Sequence, residues 1–326
     1  MIINSFSPFI GQHCETTATG TLLKSLGIEM SEAMLFGIGE GLGYIYWDMK
    51  SMDFPFIGGR VKPDLLTQKI VSNLNLHIDV KETSSSKKAW ENVKQNIDKG
   101  IIAGLKLDSY HLDYFTNKVH FAGHYVAMYG YDNSYAYLVD TKQQGGMVKT
   151  SLHNLELARN EKGPMSSKNL SYTIEKKEDV SNSRDVIIKA IQGNAIDYLN
   201  PPIKNLGYKG IKKTSVEIKK WFERSENIED DLVLAATLME RGGTGGSLFR
   251  NMYRDFLKEC LIMLDNAPLQ NAYNLFTEIA PMWEEVSNLI RNAGETHEIR
   301  FLNQASDLLM ELSSKEYEAM SQLSRI

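Results

Sequence analysis

Three residues far apart in the chain have the types that nucleophilic acyl chemistry needs: Cys14, His124 and Asp140. Cys14 lies in GQHCETTATGTLLKSLG, residues 11–27, at the front of a run in which Ala18, Leu22, Leu23 and Leu26 keep a helical period and Gly27 supplies a stop. A thiol in the first turn of a helix meets the positive end of the macrodipole, and a neighbouring imidazolium adds to the effect, so a thiolate is favoured near neutral pH. His124 and Asp140 bracket HYVAMYGYDNSYAYLVD, two aromatic and β-branched runs around a YDNS turn, which reads as a β-hairpin. Centred on Asp132, the hairpin pairs residues whose numbers sum to 264, which sets His124 directly across from Asp140. Opposed Cβ atoms are roughly 4.5 to 5.5 Å apart, close enough for a carboxylate to hold an imidazole nitrogen. That pairing needs a loop of three or five residues, because a slip of one residue sends the two side chains to opposite faces. In such a set the thiolate attacks an acyl carbonyl, the imidazole moves the proton, and the carboxylate fixes the imidazole tautomer.

The elements that must position these groups follow from periodicity and punctuation. Residues 15–26 read as a helix, GYIYW (43–47) and LHIDVKE (76–82) as strands, and PDLLTQKIVSNLN as a helix opened by Pro63. The serines before KKAWENVKQNIDKG cap a helix that carries Trp90, Val93 and Ile97 on one face and stops at Gly100. IIAGLKL (101–107) reads as a buried strand, MVKTS and LSYTI as further strands, and LHNLELAR as a short helix. The charge run EKKEDVSNSRD, 175–185, reads as a linker. Beyond it the pattern is helical over 183–198, 214–224, 229–240, 247–265, 269–293 and 297–323. The expected class is α+β: residues 1–175 with an antiparallel sheet, then an all-α domain over 183–326.

Composition narrows the function. The chain has 326 residues, 42% hydrophobic and 24% charged, with a net charge of −5, which excludes the broad basic surface of a nucleic-acid binder. No stretch approaches the ~18 apolar residues of a membrane span, and the N-terminus lacks a signal-peptide pattern. Two cysteines, Cys14 and Cys260, make no disulfide framework, so a cytoplasmic location is expected. Cys260 belongs to the apolar stripe Phe256, Leu257, Cys260, Leu261, Leu264 and reads as core.

The order of a cysteine opening a helix, then GHYVAMYGYDNSYAYLVD, resembles the papain-like fold in its peptidase C39-like branch. The HCET context and the tail ERGGTGGSLFRNMYRDFLKE resemble more closely the butirosin biosynthesis protein H family, which joins such a domain to an α-helical one. The resemblance implies a cysteine-dependent acyltransferase that moves an acyl group from the phosphopantetheine arm of an acyl carrier protein to an aminoglycoside-like amine. Cys14 would carry the acyl group, with His124 and Asp140 as above. Two positions depart from the pattern: Pro8 stands where papain-like enzymes place an oxyanion-hole glutamine, and Thr141 stands where the peptidase branch often has proline. The Cys14 N–H and a second, unassigned donor are then expected to hold the oxyanion. A cysteine peptidase or amidase on the same three residues, and a papain-like module that only binds, are the alternatives.

Other segments take subsidiary expectations. Gln12 and His13 flank the thiol and are candidates for the acyl site, His13 also reading as a solvated neighbour. Gly242, Gly243, Thr244, Gly245, Gly246 and Ser247 lack the Lys-Ser/Thr ending of a nucleotide loop; they read as a turn before a helix, with the pantetheine phosphate as candidate anion. Residues 203–224 carry seven basic and two acidic residues, a candidate docking face for an acidic carrier protein against the reading of a solvated helix face. His111, Asp113, His120 and His124 form no CxxC or HExxH pattern, so no metal is expected, and no cofactor beyond the donor's pantetheine arm. Whether the chain forms a homo-oligomer is left open.

Overall fold

The computed structural model describes residues 1–50, 52–163, 166–177 and 184–326. In chain order the elements are α1 Cys14–Ser25, α2 Glu32–Ile38, β1 Leu42–Trp47, β2 Phe56–Arg60, α3 Leu65–Asn73, β3 His77–Lys81, α4 Ser86–Asp98, β4 Ala103–Leu107, β5 His124–Tyr131, β6 Tyr135–Val139, β7 Met147–Ser151, α5 Leu152–Asn160 and β8 Ser171–Glu175. Helices follow: α6 Arg184–Leu199, α7 Gly207–Glu217, α8 Trp221–Arg224, α9 Ile228–Arg241, α10 Arg250–Met263, α11 Ala267–Thr296 and α12 Ile299–Leu323. This is the expected α+β class, an antiparallel sheet followed by helices. Most of the expected linker, 178–183, lies outside the described residues. No helix among the described residues is long and apolar enough to cross a membrane.

The chain divides into two compact units, Met1–Leu35 with Pro63–Ser181, and Phe36–Lys62 with Asn182–Ile326. A single boundary near 175–183 does not anticipate that residues 36–62 belong with the helices. The cause is local: β1 alternates buried and half-buried positions, and the rings of Tyr44 and Tyr46 are buried. Tyr44 donates or accepts a 2.6 Å hydrogen bond with Thr214 of α7, and β1 packs on α7. A two-stranded ribbon alone cannot bury such a face.

In the first unit the strand order is β3-β8-β4-β5-β6-β7, antiparallel at every pairing. α1 packs on this sheet against β5 and its neighbours. Every residue of α1 from Cys14 to Leu23 is buried, the threonines included, so its environment is wider than the one apolar stripe in the sequence. Each threonine hydroxyl has a partner: Thr16 donates to the His13 carbonyl, Thr17 accepts from the Gly11 N–H, Thr19 bonds Thr67 and Tyr172, and Thr21 donates to the Thr17 carbonyl. Burial without cost requires this pairing.

Local differences from expectation have local reasons. α3 begins at Leu65, not at Pro63, because Asp64 adopts a left-handed conformation at φ 73°. The helix expected over 214–224 starts earlier, at Gly207, and breaks into a 3-10 turn at Ile218–Lys220. Ser247, Leu248 and Phe249 all have positive φ, so the helix expected from 247 begins at Arg250.

The second unit is organised by the long helices α11 and α12, joined through His297 and Glu298, with α9, α10 and α7 packed along them. Inside it lies a fully buried ion pair between Arg250 and Glu316, with Nε to Oε1 at 2.8 Å and Nη2 to Oε2 at 2.9 Å. Trp283 Nε1 donates to Glu316 Oε1 at 2.6 Å, the Tyr198 hydroxyl donates to Oε2, and Arg250 also reaches the carbonyls of Gly59 and Leu248. A buried charge pair is tolerated when its remaining lone pairs and protons are satisfied in this way.

Candidate active site

Cys14 is the first residue of α1 and is 8% exposed. His124 opens β5 at 7% exposure and Asp140, directly after β6, is fully buried. The structure brings all three together. His124 Nε2 lies 2.8 Å from Asp140 Oδ2. Cys14 lies beside the His124 imidazole and, after Asp140, contributes to raising its pKa. With Nε2 committed to Asp140, Nδ1 is the imidazole nitrogen left for sulfur.

The register that permits this differs from the one expected. Next to the turn Tyr131 faces Ala136 and Gly130 faces Tyr137; after a bulge at Tyr129, Met128 faces Leu138 and Ala127 faces Val139. The four-residue turn, in which Asp132 accepts from the N–H groups of Ser134 and Tyr135, would by itself put His124 and Asp140 on opposite faces. The bulge restores the shared face by adding one residue. Continuing the pairing past Ala127 sets Asp140 across from Val126, so His124 meets it diagonally and not directly opposite, at a spacing an imidazole spans.

Asp140 is held from several sides. Oδ1 accepts from the Thr141 N–H at 2.6 Å, a bond that a proline at 141 could not make. The Asp140 N–H donates to the Gly146 carbonyl, and Gly145 and Gly146 close this turn with φ of 103° and 72°, values that favour glycine. The Tyr114 hydroxyl donates to Asp140 Oδ2 at 2.7 Å. Burial and the Asp140 charge raise the Tyr114 phenol well above its ordinary range, so it stays a neutral donor. The Phe115 ring stands edge-on to His124 at 5.2 Å. Tyr114 was invisible to motif reasoning because it lies in an irregular segment before β5. Tyr114→Phe, which keeps the ring, should lower catalytic efficiency about tenfold, from the loss of one hydrogen bond to a charged group; an unchanged rate would show that Thr141 and His124 suffice to orient Asp140.

Burial pulls the His124 pKa down, but the charge and hydrogen bond of Asp140, followed by Cys14, outweigh it and raise it to about 10. Unfolded imidazole titrates near 6.5. The stabilisation from this pair is therefore complete below about pH 6.5 and is lost as pH rises through about 10. Asp140→Asn should cost the most thermal stability near pH 6, and its melting temperature should converge with that of the native protein above pH 10. A gap independent of pH would contradict the pairing.

A residue that sequence reasoning did not find governs the front of α1. Glu32 accepts from the N–H groups of Gln12 at 2.9 Å and His13 at 2.8 Å and from the Thr16 hydroxyl at 2.7 Å. Its carboxylate occupies the positive pole of the helix and offsets the field at Cys14. The Gln12 side chain is exposed and His13 is buried, not solvated. Glu15, also fully buried, accepts from the Thr67 N–H and hydroxyl at 3.1 Å and supports the helix from behind.

The glycine-rich segment is in the second unit. Three of its donors turn back on the chain: Ser247 N–H donates to the Glu240 carboxylate at 3.0 Å, Gly246 N–H to Thr244 Oγ1 at 3.1 Å, and Thr244 Oγ1 to the Met239 carbonyl at 2.8 Å. A phosphate approaching the loop would meet a carboxylate, so Gly242, Gly243, Thr244, Gly245, Gly246 and Ser247 form a turn and not an anion site. Of the basic stretch 203–224, Lys213 donates to Asn205 and Arg224 to the carbonyls of Met52 and Asp53, whereas Lys204, Lys209, Lys212, Lys219 and Lys220 are exposed.

Residues 13–141 match the family described as butirosin biosynthesis protein H, N-terminal, and residues 153–323 match the domain of unknown function DUF4872. The chain belongs to the DUF4872 family and carries a butirosin biosynthesis protein H N-terminal domain. The match to that N-terminal domain runs from His13 to Thr141 and so encloses Cys14, His124 and Asp140. The DUF4872 match covers more than half of the chain. No curated protein matches. A crystal structure named as a C39-like peptidase from Bacillus anthracis is 18% identical, with a TM-score of 0.38, covering 55% of this chain and 98% of its own.

Proposed function

We propose that the protein is an acyltransferase that takes an acyl group from a carrier-bound thioester onto Cys14 and passes it to the amine of a small natural product. The observation that carries this reading is the Cys14, His124 and Asp140 cluster inside the matched N-terminal domain. In the first half-reaction the Cys14 thiolate adds to the thioester carbonyl and the carrier thiolate leaves, taking the proton of His124. In the second, an amine adds to the enzyme thioester, neutral His124 takes the amine proton, and collapse to the amide returns Cys14 as thiolate beside an imidazolium. Exchange of one thioester for another is near balance, and amide formation drives the cycle.

The five exposed lysines of residues 203–224 are the proposed contact for an acidic carrier, which would steer encounter and make it sensitive to salt. The family resemblance favours an aminoglycoside-like acceptor. Incubation with an acyl-loaded carrier should raise the mass of the native protein by one acyl group, with Cys14→Ala unmodified; addition of a panel of aminoglycosides should then discharge the adduct to an amide. Discharge only to free acid, with peptides cleaved in a Cys14-dependent way, would reassign the same three residues to hydrolysis.

A further inference from the structure

The first unit holds a second cluster of ligating side chains, unused by Cys14, His124 and Asp140. His111 ends the 3-10 turn Ser109–His111, His120 precedes β5, and Glu161 is the C-cap of α5. One ligating atom from each lies within 4.8 Å of the others. We propose that His111, His120 and Glu161 bind one divalent cation of the zinc type, which ties both ends of the segment between β4 and β5 to the end of α5.

Three observations support it. The donor set, two imidazole nitrogens and one carboxylate oxygen, suits a borderline cation that keeps its fourth position for water. Tetrahedral ligands at about 2.0 to 2.1 Å from zinc are roughly 3.4 Å apart, so small side-chain shifts close the cluster. His120 is also oriented as a ligand: its Nδ1 lies 3.1 Å from Asp108 Oδ2, and Asp108 is 3% exposed and fixed by the N–H groups of Tyr110 and Phe121. That carboxylate holds the Nδ1–H tautomer and leaves the Nε2 lone pair for an ion. The Tyr110 ring stacks on His120 at 4.0 Å, which sets the plane of the imidazole. Finally, the C-terminal end of α5 places the negative pole of that helix at Glu161.

Without an ion His111 Nε2 and Glu161 Oε2 are 2.6 Å apart; binding exchanges the proton between them for the cation and releases it to solvent. The sequence grouping of His111 and His120 with Asp113 and His124 does not form. Asp113 accepts from the Ser151 N–H, the Thr150 hydroxyl and Asn154, and His124 is taken by Asp140. Glu161 completes the set instead. Tyr114 and Phe115 lie between the two histidines in sequence, so, on the reading of the active site given above, the ion would also steady the groups that touch Asp140 and His124.

The test uses full-length Cys14→Ala protein, which removes the competing thiol, titrated with Zn2+ by calorimetry and with Co2+ by visible absorption. One equivalent should bind, Co2+ should give tetrahedral d–d bands, Asp108→Asn should weaken binding roughly 10- to 100-fold, and His120→Ala should abolish it. His120 is 57% exposed, so its replacement spares the fold, which circular dichroism can verify. Absence of binding, or equal affinity after His120→Ala, overturns the site and leaves a surface histidine–carboxylate pair. Neither outcome bears on acyl transfer, because the titration reads no acyl chemistry.

Discussion

Replacing His124 with alanine should lower turnover on the order of 10^4-fold or more, and Cys14→Ala should do the same. The magnitude follows from how the site is assembled. Glu32 has already claimed the N–H groups at the front of α1, and in the proposed reaction the His124 imidazole is both the charge beside the sulfur and the proton carrier of both half-reactions. Losing it removes the charge partner and the proton carrier together. The two residues act as one unit, so the double variant should be no worse than either single one; multiplicative losses would mean that the sulfur works without the imidazole. Asp140→Asn should cost less, since its main work is to orient and charge a ring that Phe115 also contacts.

Glu316→Ala should be the most damaging single change for stability. It leaves the Arg250 guanidinium buried at zero exposure with its carboxylate partner gone, and deprives Trp283 and Tyr198 of their acceptor. Breaking a buried pair from one side costs about 3 to 5 kcal/mol, which in a domain of this size lowers the melting temperature by roughly 10 °C. Replacing Arg250 and Glu316 together with apolar residues of similar volume should recover much of that loss, because the uncompensated charge and not the missing contact is the main penalty. A thermal melt of the three proteins checks both statements, and a single variant as stable as the native protein would contradict them.

What was legible in the sequence was local. α1 was readable from its period and its glycine stop, the β5–β6 hairpin from two β-rich runs around a turn, and the cluster of Cys14, His124 and Asp140 from their types at the ends of those elements. What was not legible depended on partners distant in sequence. Glu32 reaches α1 from another helix, Tyr114 reaches Asp140 from an irregular segment, and β1 and β2 pair with helices more than a hundred residues downstream. The bulge at Tyr129 leaves no compositional mark, yet it decides which face His124 occupies. The glycine-rich loop misled because its anion is supplied by the chain itself, as Glu240.

Whether the His124 imidazole acts on the Cys14 sulfur is read by the rate of iodoacetamide alkylation at Cys14 between pH 5 and 9. The native protein should react at pH 6 far faster than an ordinary thiol, which titrates near 8.5, and His124→Ala should fall to the ordinary curve. Superimposable curves for the two proteins would show that the imidazole does not act on the sulfur.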